Sequence, residues 1–305
     1  MKIVFTMLLL TFTPMLTLSQ GTTTKQALSN YFLNFRKGNN PAPPSLDLSV
    51  NAEATLNFLA EYLTDSLVSV RLKSVDLVKD IGLKSTKPLV RKTAVRLLVI
   101  QWGSNSELNR RAFGSLKKFN ASDFDRSSRD SLVRRLEGKY PNRESLLRLI
   151  GFVGKEENVI SIKPFASAAN GVSICWNALL AMARLGDAES IDLILQKTKK
   201  LNVNDASVNQ LFPDLVYTRR KELFDFLVEV IHSEQANCES ADNDNPTSIL
   251  CGYRVMEQLA PAIRNYPLSL DASGDVKTWN YQQSLEKVRQ WFRQNSNYQI
   301  ITDTF

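Results

Sequence analysis

The sequence predicts an all-α fold. Glycine and proline are scarce, at 12 and 11 of 305 residues, which argues against a β-rich chain with many tight turns. Apolar residues return every three to five positions through long segments, and between Leu67 and Ile81 charged residues fill the intervals. Glycines follow several periodic segments, as they do at helix C-termini. They are Gly82, Gly103, Gly138, Gly154 and Gly186.

Periodicity and helix breakers place the elements in order along the chain. "KQALSNYFLNFRKG" (residues 25–38) predicts a first helix, and "NNPAPPSLDLS" after it predicts an extended linker, because its prolines fix φ and remove amide donors. Pro88 suits the first turn of a helix, where its missing N–H is not needed. Further helices are predicted at residues 52–63, 67–82, 86–102, 106–119, 125–138, 143–153, 157–168, 171–185, 188–200, 205–217, 219–234, 247–265 and 279–296.

Residues 1–19 have the organisation of a cleaved signal peptide. Lys2 supplies the positive charge, residues 3–12 form the apolar segment, and small residues precede a cut at Ser19–Gln20. The alternative is an uncleaved anchor, but the apolar segment is shorter than the roughly 20 residues that span a bilayer. We therefore expect a periplasmic or secreted protein. Its mature part would comprise an N-terminal helix and proline-rich linker at 20–50 and a helical domain with a C-terminal capping segment at 51–305.

The three cysteines divide into a candidate pair and a single residue. Cys238 and Cys251 flank the polar segment "ESADNDNPTSIL", and in an oxidising compartment they can form a disulfide. The alternative is two free thiols. Cys175 lies in the apolar segment "GVSICWNALLAMA", which indicates a buried small side chain.

One stretch of the chain has an internal counterpart. "LLRLIGFVGKEENVISIKPF" (residues 146–165) aligns with "LLAMARLGDAESIDLILQKT" (residues 179–198), and 32 residues separate Gly154 from Gly186. Each copy predicts a helix that ends at an apolar–Gly step and a second helix that begins with acidic residues. A pair of this length cannot bury its apolar side alone, so stacking on neighbours would stabilise it.

Two segments carry a resemblance to a known family. "VRKTAVRLL" (residues 90–98) and "AMARLGDAESIDLIL" (residues 181–195) resemble HEAT repeats, the second most closely the short subtype first noted in phycobilisome lyases. The resemblance is good over residues 146–200, weaker over 51–141 and degenerate from 202 onward. With the leader it implies a secreted bacterial member: an α-solenoid of stacked antiparallel helix pairs, a fold commonly used for protein–protein recognition.

The residues argue against familiar catalytic and metal sites. His232 is the only histidine, no G-x-S-x-G motif is present, and three scattered cysteines do not make a zinc site. We therefore expect no catalytic residues, no metal and no cofactor, with His232 at the end of a helix. "DNDNP" (residues 242–246) hints at calcium but lacks the glycine and glutamate of an EF-hand loop. A carboxylate-dependent enzyme on a cell-wall polymer is the remaining enzymatic alternative.

Positive charge is concentrated between Arg71 and Arg148. This stretch holds 19 Lys/Arg and 8 Asp/Glu, a net charge of +11 in a chain whose total is +7. If the helices stack in register, these side chains could line one basic surface that binds an anionic glycan, a membrane surface or an acidic protein; nucleic acid is disfavoured by the leader. The alternative is an ordinary solvated surface. The candidate binding residues are Arg91, Lys92, Arg96, Arg110, Arg111, Lys117, Lys118, Arg134 and Arg135.

Aromatic residues gather near the end of the chain. Packing that caps the last repeat explains them, and a platform on which sugars stack is the alternative. They are Trp279, Tyr281, Trp291, Phe292, Tyr298 and Phe305. Taken together, the sequence favours an exported, non-enzymatic binding scaffold with a protein as its first expected partner.

Overall fold

A computed structural model describes residues 15–45, 48–240 and 247–305, and in these residues the fold is all-α apart from one two-stranded ribbon. The chain divides into two compact units, Met1–Gln101 and Trp102–Phe305. This boundary lies inside the segment 51–305 that the sequence treats as one domain. In its described residues the first unit contains the helices α1 Met15–Arg36, α2 Leu48–Tyr62, α3 Val68–Lys84 and α4 Pro88–Val99.

The second unit contains the other helices and the ribbon of the described chain. The helices are α5 Ser106–Leu116, α6 Arg126–Arg134, α7 Arg143–Val153, α8 Val159–Ile162, α9 Val172–Leu185, α10 Ala188–Thr198, α11 Phe212–Thr218, α12 Lys221–His232, α13 Gly252–Leu259 and α14 Tyr281–Gln294. The strands are β1 Cys238–Glu239 and β2 Ser248–Ile249, paired antiparallel.

In the first unit, consecutive helices pack on one another. Leu28 and Phe32 of α1 are fully buried, and the Phe32 ring stacks on Tyr62 with 4.0 Å between centroids. Arg36, at the end of α1, forms an ion pair with Asp65 beyond the end of α2. Helix α1 begins at Met15, ten residues before the predicted start, so its first residues overlap the predicted signal segment.

The predicted signal peptide lies largely outside the described residues, so it stays a prediction. Residues 1–14 are not described. Among the helices of the described ranges, none combines the length and the apolar character needed to span a bilayer.

The hinge between α9 and α10 has the local structure that the sequence predicts. Gly186 has φ +103°, a left-handed conformation that ends α9 and that a side chain would strain. The Asp187 carboxylate then accepts a hydrogen bond from the Ser190 amide at 2.9 Å and caps α10. The helix pair at this point in the sequence is therefore built from local signals.

Its predicted counterpart differs in the second helix. The sequence predicts one helix over residues 157–168, whereas the structure has the single-turn helix α8 between short 3₁₀ segments. Pro164 has no amide hydrogen and cannot continue the α-helical ladder, and Gly171, with φ +85°, ends the last of these turns. The prediction for this segment is wrong, and only the first helix of the counterpart, α7, is regular.

The prediction of one helix over residues 247–265 is also wrong at both ends. Residues 248–249 form β2, and α13 spans Gly252–Leu259. Pairing with β1 holds the first residues extended. A 3₁₀ turn at residues 260–262 follows α13, since Pro261 cannot donate to the preceding turn.

The segment after α14 runs across the second unit in extended form. The Ile301 amide donates to the Ala262 carbonyl at 2.8 Å, and the Ala121 amide donates to the carbonyl of Asp303 at 3.0 Å. Phe305 then inserts its ring among Phe113, Phe152 and Tyr217, at centroid distances of 5.3 to 5.6 Å. These contacts tie residues distant in sequence to one another.

Cys238 and Cys251 form a disulfide that joins β1 to the start of α13, with 5.1 Å between their Cα atoms. Both side chains are buried. Cys175 is a free, half-buried thiol whose Sγ lies 2.9 Å from the Ala166 carbonyl oxygen.

Removing this disulfide is expected to lower the free energy of unfolding. On the chain-entropy account, a bridge that closes the loop between residues 238 and 251 contributes about 3 kcal/mol to the free energy of unfolding. We expect the double variant Cys238→Ser, Cys251→Ser to lose about that amount in urea unfolding at constant pH. The matched control is Cys175→Ser, which keeps a donor toward Ala166. Equal stability of the double variant and the wild type would show that the bridge does not restrain the unfolded chain.

Candidate functional site

The predicted basic residues are distributed over both units. In the first unit, Arg91, Lys92 and Arg96 lie on α4, and the Arg91 guanidinium is 3.5 Å from the Gly82 carbonyl oxygen. In the second unit, Arg110 and Arg111 are exposed on α5. The residues Lys117, Lys118 and Arg134 are exposed as well.

Arg135 is engaged in contacts within the second unit. It is half-buried, its Nε donates to the Trp102 carbonyl at 3.0 Å, and its Nη1 donates to the carbonyl and hydroxyl of Ser131. Burial lowers the pKa of this guanidinium. Its side chain therefore holds the start of the second unit against α6 and is a poor surface contact for a partner.

The single histidine lies at a helix end, and the described ranges hold no cluster of metal ligands. His232 is the last residue of α12, where burial and the neighbouring Arg293 and Arg289 lower its pKa. No group of three or more His, Cys, Asp or Glu side chains in the described ranges could hold a metal ion. The candidate calcium segment, residues 242–246, lies outside them.

The second unit contains a cavity of about 710 Å³ beside α13. This volume is in the range of small-molecule and cofactor sites. Its walls come from the end of β1, β2, α13, the loop before α14 and the segment before α11. The lining residues are Asn209, Ser240, Ile249, Tyr253, Arg254, Glu257, Gln258, Asp275 and Tyr281.

A π-helical turn positions one wall of this cavity. Residues 207–211 form the turn, and Pro213 follows it at the start of α11. Pro213 has no amide hydrogen to donate to the carbonyl of Asn209 four residues earlier, so the regular α-helical ladder is interrupted there. Such turns are frequent at functional sites. The widened backbone presents the exposed Asn209 side chain to the cavity.

Gln258 links the π-helical turn to α13. Its Nε2 donates to the Val208 carbonyl at 2.8 Å, which fixes the orientation of the amide. Its Oε1 is buried and accepts no hydrogen bond from the described residues. A buried acceptor without a donor is costly, so this oxygen is suited to accept a hydrogen bond from a ligand hydroxyl.

Two tyrosines form the aromatic part of the cavity. The rings of Tyr253 and Tyr281 meet edge to face with 6.2 Å between centroids. The Tyr281 hydroxyl donates to Glu257 Oε1 at 2.7 Å, and this hydrogen bond to the carboxylate raises the pKa of Tyr281. The phenol therefore stays protonated at neutral pH, and its ring is held at the mouth of the cavity.

Arg254 of α13 holds the β1–β2 ribbon in place at one wall of this cavity. Its guanidinium forms an ion pair with Asp205 at 2.6 Å and donates to the Glu239 carbonyl at 2.8 Å. Asp205 in turn accepts from the Glu239 amide at 2.7 Å. The wall that carries Ser240 and Ile249 is thus held by charge-assisted hydrogen bonds as well as by the disulfide.

The aromatic residues that the sequence groups together lie in three different places in the structure. Trp291 and Phe292 pack on Tyr266, and Tyr298 packs on Phe292. Phe305 lies in its own aromatic site. Trp279 is 99% exposed and Tyr281 is 45% exposed, so this pair at the start of α14 faces solvent.

Sequence reasoning finds only Tyr281 among the cavity residues. The others are spread over several elements between residues 209 and 275, and their proximity is a product of packing. A usable signal exists in α13, where Tyr253, Arg254, Glu257 and Gln258 follow the helical period and together make one polar and aromatic side. No protein-family model, curated protein or solved structure matches this chain.

Proposed function

We propose that the protein is an exported, non-enzymatic binding scaffold and that it binds a carbohydrate chain in the cavity beside α13. The observation that carries this proposal is the combination of an edge-to-face tyrosine pair with convergent amide, carboxylate and guanidinium groups around about 710 Å³. Export rests on the predicted leader, and the arrangement of helix pairs as a HEAT-like solenoid rests on the sequence resemblance.

The chemistry of the cavity fits a sugar better than an apolar or strongly charged ligand. A pyranose offers C–H groups that pack on aromatic rings and hydroxyls that both donate and accept hydrogen bonds. Tyr253 and Tyr281 supply the rings, Gln258 Oε1 and Glu257 supply acceptors, and Asn209 supplies an amide. The charges of the cavity do not favour an anionic ligand, since Arg254, the one cation among the lining residues, is already paired with Asp205.

The proposal predicts loss of carbohydrate binding when the aromatic wall is removed. Binding of the mature protein to a panel of neutral and acidic polysaccharides from bacterial envelopes would be measured by retention and by calorimetry on the best binder. We expect Tyr281→Ala to weaken binding at least about tenfold, which corresponds to 1.4 kcal/mol. Tyr281→Phe, which keeps the ring but loses the bond to Glu257, should lie between this variant and the wild type.

The matched control is Tyr140→Ala, which removes an exposed tyrosine that does not line the cavity. It should bind as the wild type does. Retention that depends on salt and on Arg110 and Arg111, but not on Tyr281, would contradict the cavity and favour the basic surface. Cleavage of the bound oligosaccharide, seen by mass spectrometry, would favour an enzyme that uses Glu257 or Asp275. Binding to envelope proteins alone would favour the protein-partner interpretation.

A further inference from the structure

Three arginines of the second unit meet where α9 and α11 end. Arg184 donates from Nη1 to the Tyr217 carbonyl at 2.6 Å, and Arg220 donates from Nε to the Ala183 carbonyl at 2.7 Å. Arg219 donates to the Val216 carbonyl at 3.2 Å and to the main-chain oxygen of Phe305 at 3.1 Å. Their direct partners in these contacts are main-chain oxygens.

Main-chain oxygens compensate these positive charges only in part. A helix C-terminus carries the equivalent of about half a negative charge, and two such ends meet three full positive charges here. Among the described residues, no Asp or Glu side chain forms an ion pair with Arg184, Arg219 or Arg220. Burial, together with the neighbouring guanidiniums, lowers the pKa of Arg184 to about 10. Burial also lowers the pKa of Arg219 to about 10, so both remain charged at neutral pH.

The cluster opens into a cavity of about 240 Å³, separate from the one beside α13. Lys155 adds a fourth cation to its wall, and Glu156 is the one carboxylate among the lining residues. The Nε of Arg219 is buried and donates to no described residue. A buried donor without a partner next to a partly compensated positive cluster is suited to a charged acceptor.

The geometry points to a binding site for a phosphate or sulfate group in this cavity. Such a group presents several oxygens to the guanidinium and ammonium donors at once, and its charge offsets the repulsion among the cations. The cavity is larger than a single oxyanion, so the group can be free or can belong to a larger molecule. This site uses none of the residues of the proposed carbohydrate cavity and does not depend on that function.

Isothermal titration of the mature protein with inorganic phosphate, sulfate and glycerol phosphate tests the site, with chloride at equal ionic strength as the reference. We expect phosphate and sulfate to bind and chloride not to compete at the same concentration. Tighter binding of glycerol phosphate than of inorganic phosphate would assign the site to a phosphate ester. Equal or weaker binding would assign it to the free ion.

Charge variants at the rim give shifts of opposite sign. Lys155→Gln should raise the Kd for phosphate about fivefold, whereas Glu156→Gln should lower it about two- to threefold, because both side chains are exposed and act through their charge. The matched control is Lys163→Gln, an exposed lysine that does not line the cavity and should leave the Kd unchanged. Arg219→Lys keeps the charge but removes Nε, and it should weaken binding more than Lys155→Gln does.

Circular dichroism melting would verify that Arg219→Lys is folded. If this variant is not folded, Lys155→Gln and Glu156→Gln still test the site. The proposal is overturned if neither oxyanion binds above the chloride reference. It is equally overturned if phosphate binds with the same Kd to the Lys155, Glu156 and Lys163 variants, because that pattern indicates non-specific attraction to a basic protein.

Discussion

Replacing Arg184 with methionine is expected to lower the free energy of unfolding by about 3–5 kcal/mol, because two hydrogen bonds from a charged donor, each contributing about 1.5–3 kcal/mol, are lost. Arg184 is 7% exposed and lies at the end of α9. Its guanidinium donates to the Tyr217 carbonyl and to the Thr304 carbonyl, each at 2.6 Å. It also lies 4.9 Å or less from the ring centroids of Phe152 and Tyr217.

Methionine fills much of the same space but cannot donate, so these acceptors would be left without a partner. The extended segment at residues 302–305 would lose its main attachment to α9. The measurement is urea unfolding followed by circular dichroism, with limited proteolysis of residues 295–305 as a second readout.

Arg293→Met is the matched control for this prediction. Arg293 is 59% exposed on α14 and pairs with Glu286 at 3.4 Å, so its loss should change stability by less than about 1 kcal/mol. A small loss in Arg184→Met, similar to that of the control, would show that the arginine is dispensable for folding and that the other contacts of the tail are enough to hold it.

Replacing Gly151 with alanine is expected to destabilise the protein by about 2–3 kcal/mol, although the same change usually stabilises a helix. Gly151 is buried in α7 where this helix packs against α9. A Cβ at this position would lie 2.7 Å from the Cα of Ala181 and 2.5 Å from the Tyr217 hydroxyl. Because the first of these atoms is backbone, the two helices must separate, and contacts along the whole α7–α9 interface weaken.

The control is the same substitution at Gly114 in α5, where a new Cβ would meet no atom within 4 Å. Gly114→Ala should stabilise by about 0.5–1 kcal/mol, since alanine loses less backbone entropy in a helix. The two variants thus carry the same chemistry and opposite expected signs in denaturant unfolding. A gain in stability for Gly151→Ala would mean that α7 and α9 do not approach as closely as described here.

Local signals in the sequence predict much of the helical structure. The sequence and the structure agree on α7 at residues 143–153, and they agree within two residues on both sides of the hinge at Gly186. These elements depend on the apolar period, an N-terminal cap such as Asp187 and a glycine at the helix end. All of these are properties of residues within a few positions of one another.

The broken helix at 157–168 and the strand β2 at Ser248–Ile249 show where such signals fail. The sequence predicts a helix over the first segment and another from residue 247, but a proline in one and strand pairing in the other override the local preference. The sequence contained the proline and the cysteine pair. Whether the proline interrupts a helix and whether the cysteines join depends on the distant segments against which these residues pack.

Neighbouring residues and their number are enough to predict a helical chain, the place of the α9–α10 hinge and the cysteines that could be joined. They do not predict that Asn209, Gln258 and Tyr281 share a cavity or that Arg184 holds residues 302–305. The direction of a side chain at a helix end or π-turn is set by packing against elements far along the chain. A residue pattern predicts the type of a single element, whereas a binding site depends on where several elements meet.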